Sequence, residues 1–135
     1  MYQDKYIFPA IFIREHDGKY SVSFPDFDCC VTYGNDLNEA MLMAKDVLEG
    51  YLWGLEDDNE QIPTPSLPEE IKISTNEFVV PIFAYMLDIR NEMNNKAVNE
   101  NCTLPRWLLK LAEENKLNLS QVLQTALKER LNIKQ

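Results

Sequence analysis

The sequence predicts an α+β fold, a β-β-β-α-β sandwich followed by a separate strand–helix–turn–helix tail. Three observations predict it. Alternating apolar residues flank an Asp-Gly turn near the start, and one long amphipathic stretch follows them. The last forty or so residues then change in both charge and pattern.

Residues 6–14, rich in Ile and Phe, form the first strand, in which Pro9 implies an edge position or a bulge. His16-Asp17-Gly18-Lys19 supplies hairpin chemistry through its Asp-Gly pair. Tyr20, Val22 and Phe24 alternate with Ser21 and Ser23, the period of a half-buried strand. Pro25-Asp26 breaks that strand, and residues 29–33 make a short third one ending at Gly34. Asp36 and Glu39 are spaced as a capping box. Behind them Leu37, Ala40, Met41, Ala44, Val47, Leu48, Tyr51, Leu52 and Leu55 repeat at helical spacing, one broad apolar stripe for a sheet to cover. Glu56-Asp57-Asp58 sits where the helix dipole disfavours acids, so this end is expected to fray. Three prolines make residues 62–68 an extended connector. Residues 77–87 form a fourth strand, Pro81 again implying an edge or bulge. Polar residues 91–95 suggest a linker, which divides the chain into a first domain at 1–90, a linker at 91–97 and a tail at 98–135.

An apolar content of 45% fits a globular protein. Cys29, Cys30 and Cys102 are too few and scattered for a disulfide scaffold, and His16 completes no ligand set. Free thiols in a reducing cytoplasm, with no metal or cofactor, are the expectation. The polar, acid-containing opening predicts no signal peptide, and no apolar run reaches the ~20 residues that span a bilayer. Charge is unevenly spread. Residues 1–95 hold 6 Lys/Arg against 18 Asp/Glu, or −12, and residues 96–135 hold 7 against 4, or +3, within a net −9. Such asymmetry suggests two binding jobs: the acidic body attracts a basic partner and the basic tail tolerates phosphate.

The tail begins with a short strand over residues 99–104, and Pro105 suits the first position of the next helix. Leu108, Leu111 and Ala112 share one face of that helix, and Trp107 beside them reads as a packing anchor, as does Trp53. Asn118 caps a second helix, with Gln121 at the capping-box position and an apolar stripe of Val122, Leu123, Ala126, Leu127 and Leu131. A unit of this size is too small to bury its own core and needs a second copy. Two identical strands would pair as an antiparallel ribbon, which can enter the DNA major groove. Alternation turns Cys102 and Leu104 inward and Asn99, Asn101 and Thr103 outward, where amide and hydroxyl groups can read base edges. Asn118, Leu119 and Ser120 offer N–H groups and a hydroxyl to a phosphate.

Thr103-Leu104-Pro105-Arg106-Trp107-Leu108 and Asn118-Leu119-Ser120-Gln121-Val122-Leu123 resemble a ribbon–helix–helix domain over residues 98–133, with Glu100 departing from the inward pattern. Upstream, the ordered series Phe24-Pro25-Asp26, Cys30-Val31-Thr32-x-Gly34, Glu39-Ala40, Ala44, Glu49-Gly50 and Ile62-Pro63-Thr64-Pro65-Ser66 resembles the HicB antitoxin family. Asp28-Cys29-Cys30 stands where that family usually has Pro-Gly-Cys. The resemblance implies a curtailed ribonuclease H-like first domain that binds a basic, mRNA-cleaving HicA-type toxin. It also implies a tail that represses the operon as a homodimer on operator DNA, a higher oligomer staying open. Asp26, Phe27, Asp28 and Tyr33 are candidate toxin contacts, equally readable as surface turn residues. Catalysis is not expected, because a two-metal nuclease needs converging carboxylates and the first strand offers no acid over residues 6–13. The competing reading is a solitary ribbon–helix–helix regulator whose first domain senses a ligand or oligomerises.

Overall fold

In the computed structural model, which describes residues 2–133, the chain divides into two compact units, Met1–Lys96 and Ala97–Gln135. The first contains strands β1 (Lys5–Arg14), β2 (Tyr20–Ser23) and β3 (Val31–Gly34), then helix α1 (Leu37–Asp57). A 3-10 turn (Pro68–Glu70) ends the proline-rich connector, and strand β4 (Glu77–Tyr85) and helix α2 (Met86–Asn95) complete the unit. The four strands make one sheet in the order β3-β2-β1-β4, each pair antiparallel. The unit is therefore α+β, as its periodicities imply.

Strand alternation builds the core. Tyr6, Phe8, Ala10 and Phe12 of β1, with Tyr20, Val22, Ile82 and Ala84 from its neighbours, join Ala40, Ala44, Leu48 and Leu52 of α1 in one buried cluster. Each large apolar side chain so buried contributes roughly 1.5–3 kcal/mol. Phe27 is part of it, its ring 4.7 Å from Phe8 and 4.9 Å from Tyr51. Gly34 joins β3 to α1 at a contact that admits no side chain. A Cβ there would stand 2.3 Å from the Ala40 nitrogen.

Pro81 meets the edge-or-bulge expectation and Pro9 does not. The β1–β4 register runs unbroken and sets Pro9 directly opposite Pro81, with no bulge at either. A pair of residues lacking N–H fits a non-hydrogen-bonded position of an antiparallel ladder. β4 is indeed an edge strand, whereas β1 is interior. Pro9 is tolerated because β2 pairs with β1 only from Ile11 to Arg14.

Helix ends are closed by local bonds. Asp36 Oδ1 accepts from the Glu39 N–H at 2.8 Å, and Glu39 Oε1 accepts from the Asn35 N–H at 3.1 Å, so the box reaches one residue further back than its usual form. The expected fraying after Glu56 does not occur. Asn59 takes a left-handed conformation (φ 57°) and the Glu60 N–H donates to the Leu55 carbonyl, a Schellman closure. Glu56 is also held from outside. Arg90 donates to both of its carboxylate oxygens at 2.8 and 2.9 Å, to Asp4 Oδ1 at 2.7 Å and to the Gln3 carbonyl at 2.5 Å. These bonds raise the already high pKa of the guanidinium.

Arg90 lies on α2, an element the periodicity reading missed. The fourth strand stops at Tyr85 rather than at residue 87, and most of the stretch read as linker is helical. Met86 is fully buried and its N–H donates to the Asp4 carbonyl at 2.7 Å. Met86, Ile89 and Met93 do recur at helical spacing, a signal hidden by the continuous apolar run before them.

Candidate functional site

The second unit holds helix α3 (Arg106–Glu114) and helix α4 (Leu119–Arg130). Residues 97–105 ahead of them carry no helix or strand, and Asn99, Asn101 and Thr103 are exposed. A strand is defined by a hydrogen-bonded neighbour, and a single copy offers this segment none. Pro105 serves as the cap of α3 rather than as its first helical residue. Asn118 caps α4, its Oδ1 accepting from the Gln121 N–H at 3.1 Å. That engages the Asn118 side chain, while the first-turn amides of Leu119 and Ser120 keep no intrahelical acceptor.

The apolar stripes on both helices are uncovered. Leu108, Leu111, Val122, Leu123, Leu127 and Leu131 are all exposed, and Trp107, expected as a packing anchor, is 64% accessible. Among the described residues of this unit none is buried. Stripes of this length on two adjacent helices are far more apolar surface than a monomer leaves in water without cause.

The structure separates the four candidate partner contacts of the first unit. Phe27 belongs to the core and is only 9% exposed. Asp26 is bonded through both oxygens, Oδ2 accepting from the Ser66 N–H at 2.9 Å and Oδ1 from the Ser66 hydroxyl at 2.5 Å. Its role is to pin the proline connector to the β2–β3 turn, which explains why Phe24-Pro25-Asp26 and Pro65-Ser66 occur together. Asp28 and Tyr33 stay exposed. Cys29 adopts φ 60°, the left-handed conformation glycine favours, so the turn survives without one. Cys30 beside it is buried, and burial pushes its thiol up to about 11. Trp53 packs partly buried against the core.

No three His, Cys, Asp or Glu side chains among the described residues converge to hold a metal ion. No helix among them is long and apolar enough to cross a membrane. A cleft of about 770 Å³ opens between the start of β1 and the connector, with Tyr2, Lys5, Ile7, Glu60, Pro63 and Phe83 among its lining.

A helix-covered antiparallel sheet joined to a small helical unit with an open apolar face is the build of a two-part binding protein. Known proteins give the class a family. The model of the HicB_like antitoxin of bacterial toxin-antitoxin system matches residues 8–126, and the chain belongs to that family. It is 33% identical over 103 residues to an uncharacterized 14.9 kDa protein from the rep-hol intergenic region of Haemophilus phage HP1, covering 76% of each chain. Its fold is similar to a toxin-antitoxin complex chain from Streptococcus pneumoniae, with TM-score 0.61, 23% identity and coverage of 93% of this chain and 99% of that one. It is also similar to the Burkholderia pseudomallei antitoxin HicB, with TM-score 0.55, 19% identity and coverage of 96% and 98%.

Proposed function

We propose that the chain is an antitoxin and autorepressor. Its acidic first domain, expected at residues 1–90 and carried on to Asn95 by α2, binds and neutralises a HicA-type mRNA-cleaving toxin in the cytoplasm. Residues 98–135 form a ribbon–helix–helix module that binds operator DNA as a homodimer, and neither part is catalytic. The observation that carries the DNA-binding half is the second unit's open apolar face. A second copy laid against α3 and α4 would cover Trp107, Leu108, Leu111, Val122 and Leu127, and would give residues 99–104 an identical strand to pair with. The ribbon so formed would present Asn99, Asn101 and Thr103 to base edges, with the amides of Leu119 and Ser120 on a backbone phosphate. Residues 96–97 then remain as the connection, since α2 extends the first domain to Asn95.

Three features support the toxin-binding half: family membership, the −12 balance of residues 1–95, and a toxin-antitoxin complex among the similar folds. The strand order β3-β2-β1-β4 with one covering helix fits the curtailed ribonuclease H-like description, except that β4 runs antiparallel to β1. The test of the DNA half is operator binding by the full chain. Alanine at Asn101 and Thr103 together should cost roughly 2–4 kcal/mol of specific affinity and leave the dimer intact. Unchanged affinity and sequence preference would refute the ribbon.

A further inference from the structure

We infer that β3 is the edge on which the toxin docks, adding one of its own strands to the sheet beside Val31–Gly34; this rests on the antitoxin reading above. β3 ends the sheet, and among the described residues its outer side has no hydrogen-bond partner. The polarity of that edge can be worked out. The Phe24 N–H donates to the Cys30 carbonyl at 3.1 Å, and residues 24 and 30 continue the register that pairs Val22 with Thr32 and Tyr20 with Gly34. Antiparallel alternation therefore gives Thr32 and Gly34 to β2 and turns the N–H and C=O groups of Val31 and Tyr33 outward.

Sheet edges are normally protected, and the opposite one is. β4 carries Pro81 at its centre and Glu77 at its start, and its Tyr85 N–H is taken by Glu49 Oε2 at 2.7 Å. Val31-Thr32-Tyr33-Gly34 has neither a proline nor a charge. Its two outward-bonding residues also expose their side chains, Val31 by 63% and Tyr33 by 65%. An unprotected edge with exposed apolar groups is the surface that strand addition uses.

Charge selects the occupant. Beside Tyr33 a pocket of about 350 Å³ is lined by Glu15, Asp17, Lys19 and Ser21, with Glu15 accepting from the Ser21 hydroxyl at 3.0 Å and Lys19 lying 3.6 Å from Asp17. A lysine or arginine from an incoming strand would find two carboxylates there and the Tyr33 ring. Asp28 lies three residues before β3. A second copy of this chain would instead bring another stretch of residues 1–95, at −12, against the first, which like-charge repulsion opposes. A basic partner fits both the edge and its rim.

Amide hydrogen exchange on the full chain, alone and co-purified with a HicA-type toxin, tests this. Val31 and Tyr33 amides should exchange freely in the chain alone and slow by at least about 100-fold in the complex, with Thr32 and Gly34 protected in both. Tyr33→Pro, which removes an N–H the sheet itself does not use, should weaken the complex at least about tenfold. Glu15→Lys with Asp17→Lys should slow association. If no complex forms with the unaltered chain, the antitoxin reading fails. If the complex forms while Val31 and Tyr33 exchange as before, the docking edge is wrong and the antitoxin reading stands. Protection that rises with the concentration of the chain alone would assign the edge to a second copy and overturn the proposal.

Discussion

Cys29 and Gly34 show how single positions govern the backbone on either side of β3. Cys29 holds a left-handed conformation that costs an L side chain roughly 1 kcal/mol or more, so Cys29→Gly should stabilise the first unit by about 1 kcal/mol in denaturant titration. A loss of stability there would mean the thiol makes a contact that offsets the strain. Gly34 has the opposite constraint. Gly34→Ala forces a methyl group into the Ala40 backbone and should cost about 3 kcal/mol, read as a lowered unfolding midpoint. Cys30 adds a pH dependence. Its folded pKa of about 11 lies above the ordinary 9.0, so the folded state holds the proton more tightly. The resulting stability is complete below about pH 9 and is lost as pH rises toward 11. Cys30→Ala should remove that part of the alkaline slope, whatever it does to the midpoint at neutral pH. These effects were only partly legible beforehand. The missing Pro-Gly marked the Cys29 turn as unusual, but whether a non-glycine residue could hold it depends on φ, which composition does not encode.

At the scale of elements, the strands, the long helix and the tail helices follow from periodicity and caps, because each of those signals lies within a few residues. What escaped is what depends on distant partners. α2 was hidden because residues 78–87 read as one apolar run, and a strand and a helix share that signal when both are buried. The frayed end expected at Glu56 is held by Arg90, 34 residues away, and the Asp26–Ser66 pin spans 40 residues. Arg90→Met should leave Glu56, whose side chain is 8% exposed, without its cation and release α2. The cost expected for breaking such a pair is roughly 3 kcal/mol. Hydrogen exchange should show α2 amides opening locally before the sheet does, and unchanged protection would mean that Met86 alone anchors the helix. The candidate contacts differ by the same logic: Phe27 is buried, Asp26 is half-buried and bonded to Ser66, and Tyr33 and Asp28 are exposed.

For the whole molecule the two units carry opposite charge, and the proposed division of labour rests partly on that. Residues 96–135, at +3, would attract phosphate only weakly, and the −12 of residues 1–95 opposes it. Operator binding should therefore depend on pairing of two tails. It should also strengthen when a basic toxin neutralises the acidic domain, making repression a report of toxin supply. The open apolar face sets the first requirement: the tail's stability should rise with chain concentration, since the folded copy is stabilised by its partner. Above both stands the claim that this antitoxin has a basic toxin to bind. Co-expression with a HicA-type toxin tests that most directly. Restored growth and a complex that stays together through purification are the predicted result. Toxicity left unrelieved, with the two proteins eluting apart, would contradict it.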